Sequence, residues 1–307
     1  MTVSVDTLSA FVEVAKYLSV SRAAAALGLP KSAVSKRVAN LEASVQSTLF
    51  SRSTRKIALT HAGEVYLVFA QSTVLQARSA QERIRDLQAS TSGVLTGPIR
   101  LTAPVSWGQQ VLARQLPAFV MAHPGVDIEL QLSDRMVDVA YERIDLALRW
   151  SAAPLHGLSS VLIASVDWIY VASPAYLAHA GALNGPHDLA VHNCMCYWQA
   201  SADDVWAMSY AGQRFEVRVR SRFHANNPET VTHAAVAGCG IALLPHYACA
   251  HALQRQQLVR VLCDWTPETK FGTHITAIAT PESMRVVRIS ALVAHLRSSQ
   301  ANIVSKR

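Results

Sequence analysis

Residues 19–63 read SVSRAAAALGLPKSAVSKRVANLEASVQSTLFSRSTRKIALTHAG, and the spacing within them decides the fold of the first part of the chain. Ser21 is placed to cap a short helix through Ala23, Ala24, Ala25, Ala26 and Leu27, and Gly28 is placed to end it. Pro30 then suits the first turn of a following helix, where its missing N–H costs nothing. On that helix Val34, Val38, Leu41 and Val45 share one face, while Ser32, Ser35, Lys36, Ala39 and Asn40 lie across from it. One face packs and the other is open to DNA. Short hydroxyl side chains let a helix approach the groove, and Lys31, Lys36 and Arg37 can reach phosphates or guanine edges. Periodicity alone also fits a small helical bundle of another kind.

The flanks narrow the choice. Upstream, Leu8, Phe11, Val12 and Ala15 recur at helical spacing and place one apolar stripe on a first helix ending near Leu18. Downstream, residues 49–60 form two short apolar stretches around a polar, basic tip, which suits a β-hairpin wing lying over a phosphate backbone. Arg52, Ser53, Arg55 and Lys56 are the candidate wing contacts. Basic residues gather in this region. Up to Thr60, Lys16, Arg22, Lys31, Lys36, Arg37, Arg52, Arg55 and Lys56 face only Asp6, Glu13 and Glu42, within a chain whose formal net charge is +7.

This run resembles the LysR-type transcription regulators in its AA-x-x-L, SAVSK, LE, LF-x-R, R and LT-x-AG elements, all in register. Two residues depart from the pattern: Pro30 stands where a serine is common, and Gln46 where a glycine usually follows the third helix. Thr60 can cap a further helix in which Leu67, Ala70, Val74, Ala77, Gln81, Ile84 and Gln88 continue a seven-residue seam. Such a seam suits a coiled coil between two chains or a helix lying along its own domain. The resemblance implies pairing through this helix, a homodimer or homotetramer on double-stranded promoter DNA, and contact with RNA polymerase. The expected division is a winged helix-turn-helix at residues 1–60, a linker helix at 61–92 and an effector-binding domain at 93–307.

From Ile99 strands alternate with helices. Ile99–Ala103, Val126–Leu132, Asp145–Trp150, Trp168–Ala172, Ile241–Leu244 and His274–Ala279 read as strands, with further strands near Cys194 and Val217. Helices are expected over Val111–Met121, near Tyr176, over Pro228–Ala237 and through Val286, Ile289, Val293 and Leu296. The fold class is therefore α plus α/β: an N-terminal winged helix-turn-helix, a long linker helix and a C-terminal α/β domain. The resemblance implies that this domain has two lobes like those of periplasmic binding proteins. Lobe 1 would take about 93–164 and 271–307 and lobe 2 about 165–270, with crossings near Val161–Trp168 and Asp264–His274.

Ligands of open α/β domains collect where strands end and helices begin, where free N–H groups favour an anion. Ser106, after Ala103-Pro104-Val105, is the leading effector candidate, and Asn226, Asn227 and Pro228 open the second-lobe helix in the same way. A small-molecule effector is expected, with an anion suited to these helix starts. Trp107, Arg135, Arg149 and Trp198 are further cleft candidates, each with a plain alternative as a packed indole, an exposed charge or an arginine paired with a carboxylate.

Other chemistries find less support. His187, His192, Cys194 and Cys196 are metal-ligand types without a recognised zinc spacing, and Cys239 between Gly238 and Gly240 is a redox candidate. Packed cysteines and satisfied histidines are the simpler expectation, and no cofactor is expected. The sequence lacks a Gly-x-Ser-x-Gly elbow, a phosphate loop, a His-Glu-x-x-His pair and a dinucleotide fingerprint, so no catalytic residue is assigned. The first residues, with Asp6 and Glu13 inside an amphipathic pattern, do not read as an export signal, and the longest apolar run, Ala234–Leu244, is shorter than a membrane span. A cytoplasmic protein without membrane contact is expected. A solute-binding module without regulation is the alternative from another class, and the attached basic helix-turn-helix argues against it.

Overall fold

The computed structural model describes residues 3–52, 57–92, 94–135, 139, 144–150, 157–197 and 204–304, and divides into two compact units. In the N-terminal unit α1 (Val5–Tyr17), α2 (Val20–Leu27) and α3 (Lys31–Val45) precede a two-stranded antiparallel hairpin, β1 (Phe50–Arg52) with β2 (Ile57–Leu59), and then α4 (His61–Ser92). Leu8, Phe11, Val12 and Ala15 are buried, as are Val34, Val38 and Leu41 of α3, so both expected stripes face one core. Phe11 sits at its centre, its ring 5.3 Å from that of Phe50 in the hairpin and 5.8 Å from that of Tyr66 on α4. Tilted aromatic contacts of this kind tie three elements together through one side chain.

The helix boundaries differ from the sequence expectation in two places. Ser19, not Ser21, caps α2: its hydroxyl accepts from the Arg22 N–H, while Ser21 already lies inside the first turn. Pro30 stands at the cap position with extended ψ of 142°, one residue before α3, rather than within the helix. Gly28 ends α2 in the left-handed region (φ 64°) as expected. Gln46 ends α3 in the same conformation (φ 53°), the geometry that a glycine adopts without a Cβ penalty.

The linker seam is divided. Ala70 and Val74 are buried in the head core with Leu67 packed against it, so the first part of the seam lies against its own domain. The apolar residues that α4 leaves exposed there are Val65, Val68 and Phe69, with Ile84 exposed further along.

The second unit opens with β3 (Thr96–Ala103) and a helical segment made of α5 (Val105–Trp107), a π-helical turn (Gly108–Leu112) and α6 (Ala113–Ala122). There follow β4 (Gly125–Leu132), β5 (Leu146–Trp150), β6 (Ser159–Ser165), β7 (Trp168–Ala172), α7 (Pro174–His179), β8 (Cys194–Tyr197), β9 (Val205–Tyr210), β10 (Gln213–Arg218) and β11 (His224–Ala225). The remainder is α8 (Pro228–Val236), β12 (Ile241–Pro245), α9 (His246–Gln254), β13 (Val259–Val261), β14 (Thr266–Glu268), β15 (His274–Ala279), α10 (Pro281–Met284) and α11 (Val287–Val304).

Two five-stranded sheets make two lobes. One has the order β4-β3-β5-β15-β6, the other β11-β8-β12-β7-β13, and β10-β9-β14 form a separate three-stranded sheet. In the first lobe β3 runs parallel to β4 and β5, whereas the late strand β15 inserts antiparallel between β5 and β6. Ile99, Leu101, Trp107, Phe119, Leu148, Ile275 and Ile289 form its core. In the second lobe every residue of β7 and β12 is buried, because α8 and α9 cover one sheet face and the three-stranded sheet the other. The first crossing is shorter than expected. Ser159–Ser165 is an edge strand of the first lobe, paired with β15, so only residues 166 and 167 connect the sheets there. Of the three-stranded sheet periodicity marks only the strand near Val217, and the helical segment expected from Val111 begins at Val105.

Candidate DNA-binding face and effector cleft

On α3, Lys31, Ser32 and Lys36 are exposed and Ser35 is half-buried, opposite the packed valines. Arg37 is half-buried and reaches back to α1, with its guanidinium 3.6 Å from the Asp6 carboxylate. Both partners keep solvent contact, so the pair is weak and a phosphate can compete for the arginine. Arg52 ends β1, while Ser53, Arg55 and Lys56 lie outside the described residues.

The wing is set by groups that the motif contains without announcing their task. Glu42 Oε1 accepts the backbone N–H of Leu49 at 2.8 Å and of Phe50 at 3.0 Å, fixing the start of β1 against α3. Thr60 accepts the Gly63 N–H at 3.0 Å as the cap of α4 and donates its hydroxyl to Thr48 O at 2.7 Å. A Cβ at position 63 would collide with the Leu49 carbonyl, so the helix can approach the hairpin only with glycine there.

In the second unit Ser106 is buried where the first-lobe helical segment begins. Its Oγ lies 2.8 Å from Glu229 Oε1 and 3.1 Å from Tyr247 Oη, residues of α8 and α9 in the other lobe. A hydroxyl carries one proton and the carboxylate is the stronger acceptor, so Ser106 donates to Glu229 and the phenol supplies the second contact. Asn227 caps α8, its Oδ1 accepting from Thr230 N at 2.9 Å, with Pro228 buried beside it and Asn226 exposed. Two contacts thus set Ser106 against α9 and against the start of α8, where Asn227 and Pro228 stand, through Glu229 and Tyr247, which periodicity did not single out.

The other candidates divide. Trp107 does not line the cleft: it is 1% exposed, in the first-lobe core, because the helical turn that presents Ser106 points the next side chain inward. Arg149 is buried and donates to Leu148 O, Thr102 Oγ1 and Arg135 O at 2.7, 3.0 and 3.3 Å, so its guanidinium organises the first lobe. Arg135 is exposed and contributes that carbonyl. Trp198 lies outside the described residues.

Both helix starts already hold an acceptor of the chain's own. Asp134 Oδ1 accepts the Val105 N–H at 3.1 Å, and Asn227 occupies the equivalent place on α8. At these two N–H groups the structure departs from the expectation of donors free for an anion.

The histidine candidates are engaged elsewhere, and the cysteine candidates divide. Tyr176 Oη lies 3.0 Å from His192 Nδ1, and His192 Nε2 lies 3.4 Å from Ala182 O, so both ring nitrogens face partners. His187 packs edge-on against Phe215. Cys194 is buried, Cys239 and Cys263 are exposed, and the side chain of Cys196 lies outside the described residues. Among the described residues no group of three or more His, Cys, Asp and Glu side chains gathers to hold a metal.

Comparison with known proteins accounts for both halves. Residues 5–64 match the bacterial regulatory helix-turn-helix family of lysR type, and residues 92–301 match the LysR substrate-binding domain. The chain belongs to the LysR family. This LysR-type regulator is 34% identical to the HTH-type transcriptional regulator PtxR of Pseudomonas aeruginosa over 85% of its own length and 83% of that protein's. It is 30% identical to the probable HTH-type transcriptional regulator LtrA of Klebsiella pneumoniae, over 94% and 92%. In fold it matches the full-length virulence activator AphB of Vibrio cholerae (TM-score 0.62, 24% identity, 96% and 99% of the two chains). It matches CrgA of Neisseria meningitidis similarly (TM-score 0.61, 24% identity, 98% and 99%). The LysR-type regulator thus joins a DNA-binding head to an effector-binding domain. No helix among its described residues is long and apolar enough to cross a membrane.

Proposed function

We propose that this LysR-type regulator reads promoter DNA with Lys31, Ser32, Ser35 and Lys36 of α3 in the major groove. Arg52, Ser53, Arg55 and Lys56 of the wing then lie against phosphates, and Arg37 exchanges Asp6 for a phosphate. The observation that carries this is the two-faced α3: Val34, Val38 and Leu41 are buried while Lys31, Ser32 and Lys36 are exposed. Two heads act as a pair through α4, whose Val65, Val68 and Phe69 form an exposed apolar strip, and pairs assemble further into a tetramer. The effector enters between the lobes at Ser106, Asn226, Asn227 and Pro228. It acts by binding one lobe arrangement better than the other, which is the only way a ligand shifts a conformational equilibrium. The regulator works by binding rather than catalysis, in the cytoplasm where the chromosome lies, and its output passes to RNA polymerase.

A gel-shift on the DNA upstream of the regulator's gene and its neighbour tests the DNA reading. Sequence-selective retardation is expected, with a change in affinity or footprint when metabolites of the neighbouring genes' pathway are added. Equal binding to unrelated DNA of the same length, with or without metabolites, would overturn it.

A further inference from the structure

We propose that the effector of this regulator presents a protonated amine or guanidinium to the carboxylate of Glu229. The proposal rests on the cleft between the lobes being the effector site and adds the chemical class of its occupant. At each helix start one backbone donor that would greet an anion already has an acceptor, and so do both terminal nitrogens of Arg149. Val105 N–H points at Asp134, Thr230 N–H at Asn227, and the Arg149 guanidinium donates to three acceptors of the first lobe.

The acceptor side is different. Glu229 Oε1 receives the Ser106 hydroxyl, but Oε2 is buried and meets no hydrogen-bond donor among the described residues. No described ion pair includes Glu229. A carboxylate oxygen taken out of water without a donor is costly, and a ligand N–H⁺ placed against it removes that cost. A second anion would meet the Glu229 charge where little water screens it.

Tyr247, whose hydroxyl meets Ser106 Oγ, belongs to an aromatic cluster that runs between the lobes. The Tyr247 ring stacks on Trp150 at 6.4 Å and 22°, and Trp150 packs on Trp168 at 5.9 Å. In the structure the Ser106–Glu229 contact joins the lobes directly, and the effector's cationic group takes its place between them.

The test uses the full chain and two panels of small molecules, followed by calorimetric titration and by the melting temperature of the protein. The cations are putrescine, agmatine and L-arginine, and the anions are succinate, benzoate and citrate. At least one amine or guanidine is expected to bind and raise the melting temperature, and Glu229→Gln is expected to weaken that binding by about tenfold or more. The wild-type comparison needs no variant, so a poorly folded Glu229→Gln protein leaves it intact. Binding of a carboxylate but no cation, lost in Ser106→Ala and tightened in Glu229→Gln, would overturn the cationic class while keeping the cleft as effector site. Absence of binding from both panels, or binding unchanged by either substitution, would overturn the cleft reading together with the proposal.

Discussion

Gly63 faces the carbonyl oxygen of Leu49 so closely that a single added methyl would lie well inside van der Waals contact. This approach brings the first turn of α4 onto the chain that enters the wing, where Thr60 joins the same carbonyl through its own N–H at 3.0 Å. Substituting Gly63→Ala is therefore expected to destabilise the head by about 1–3 kcal/mol, because the obstructing atom is backbone and cannot rotate away. Chemical denaturation would measure it, and an unchanged midpoint would show that the helix and hairpin can part without loss.

Gln46 holds a left-handed conformation that favours glycine. Replacing it with glycine removes the Cβ conflict but frees the unfolded chain, so the net gain is expected to be only about 0.5–1 kcal/mol. A higher denaturation midpoint with unchanged DNA affinity is the expected outcome. A lower midpoint would mean that the glutamine side chain contributes more than its backbone costs.

Lys36 is exposed on the outer face of α3. If it contacts phosphate, Lys36→Ala lowers the slope of log affinity against log salt by about 0.9 and weakens all sequences alike. If it reads a guanine edge, the slope holds and discrimination between sites falls instead. A variant that changes neither would remove Lys36 from the interface.

The thiols are expected to divide by environment. Burial pushes the Cys249 thiol up to about 12, and Cys194 is also buried, whereas Cys239 and Cys263 are exposed. At neutral pH an alkylating reagent should label Cys239 and Cys263 in the folded protein and reach Cys194 and Cys249 only on unfolding. Rapid labelling of Cys249 in the native protein would show that α9 opens locally.

The head was legible in the sequence because each motif residue answers a local need. Gly28 turns the chain, Thr60 caps a helix three residues before the N–H it accepts, and the valines of α3 repeat at helical spacing. The cleft was legible only in part. Ser106 and Asn227 could be found from the ends of strands and the starts of helices, but Glu229 and Tyr247 lie 123 and 141 positions beyond Ser106. Nothing in a local pattern joins them. Trp107 misled for a related reason: its neighbour faces the cleft, and only the course of the π-containing helical segment shows that the indole turns into the core. The linker seam left two partners open, and at Ala70 and Val74 the structure takes the helix's own domain, since a stripe records only that a face packs, not against what.

The position of β15 has a consequence for how the protein is made. This strand closes the first sheet between β5 and β6, and β6 has no other sheet partner among the described strands. A ribosome must therefore synthesise the whole second lobe before the first can be completed, and until then β5 presents an open edge where β15 will bind. Such edges recruit strands from other chains. Chains halted before His274 are thus expected to aggregate even though their second lobe is finished, which makes the last strand a checkpoint on intact synthesis.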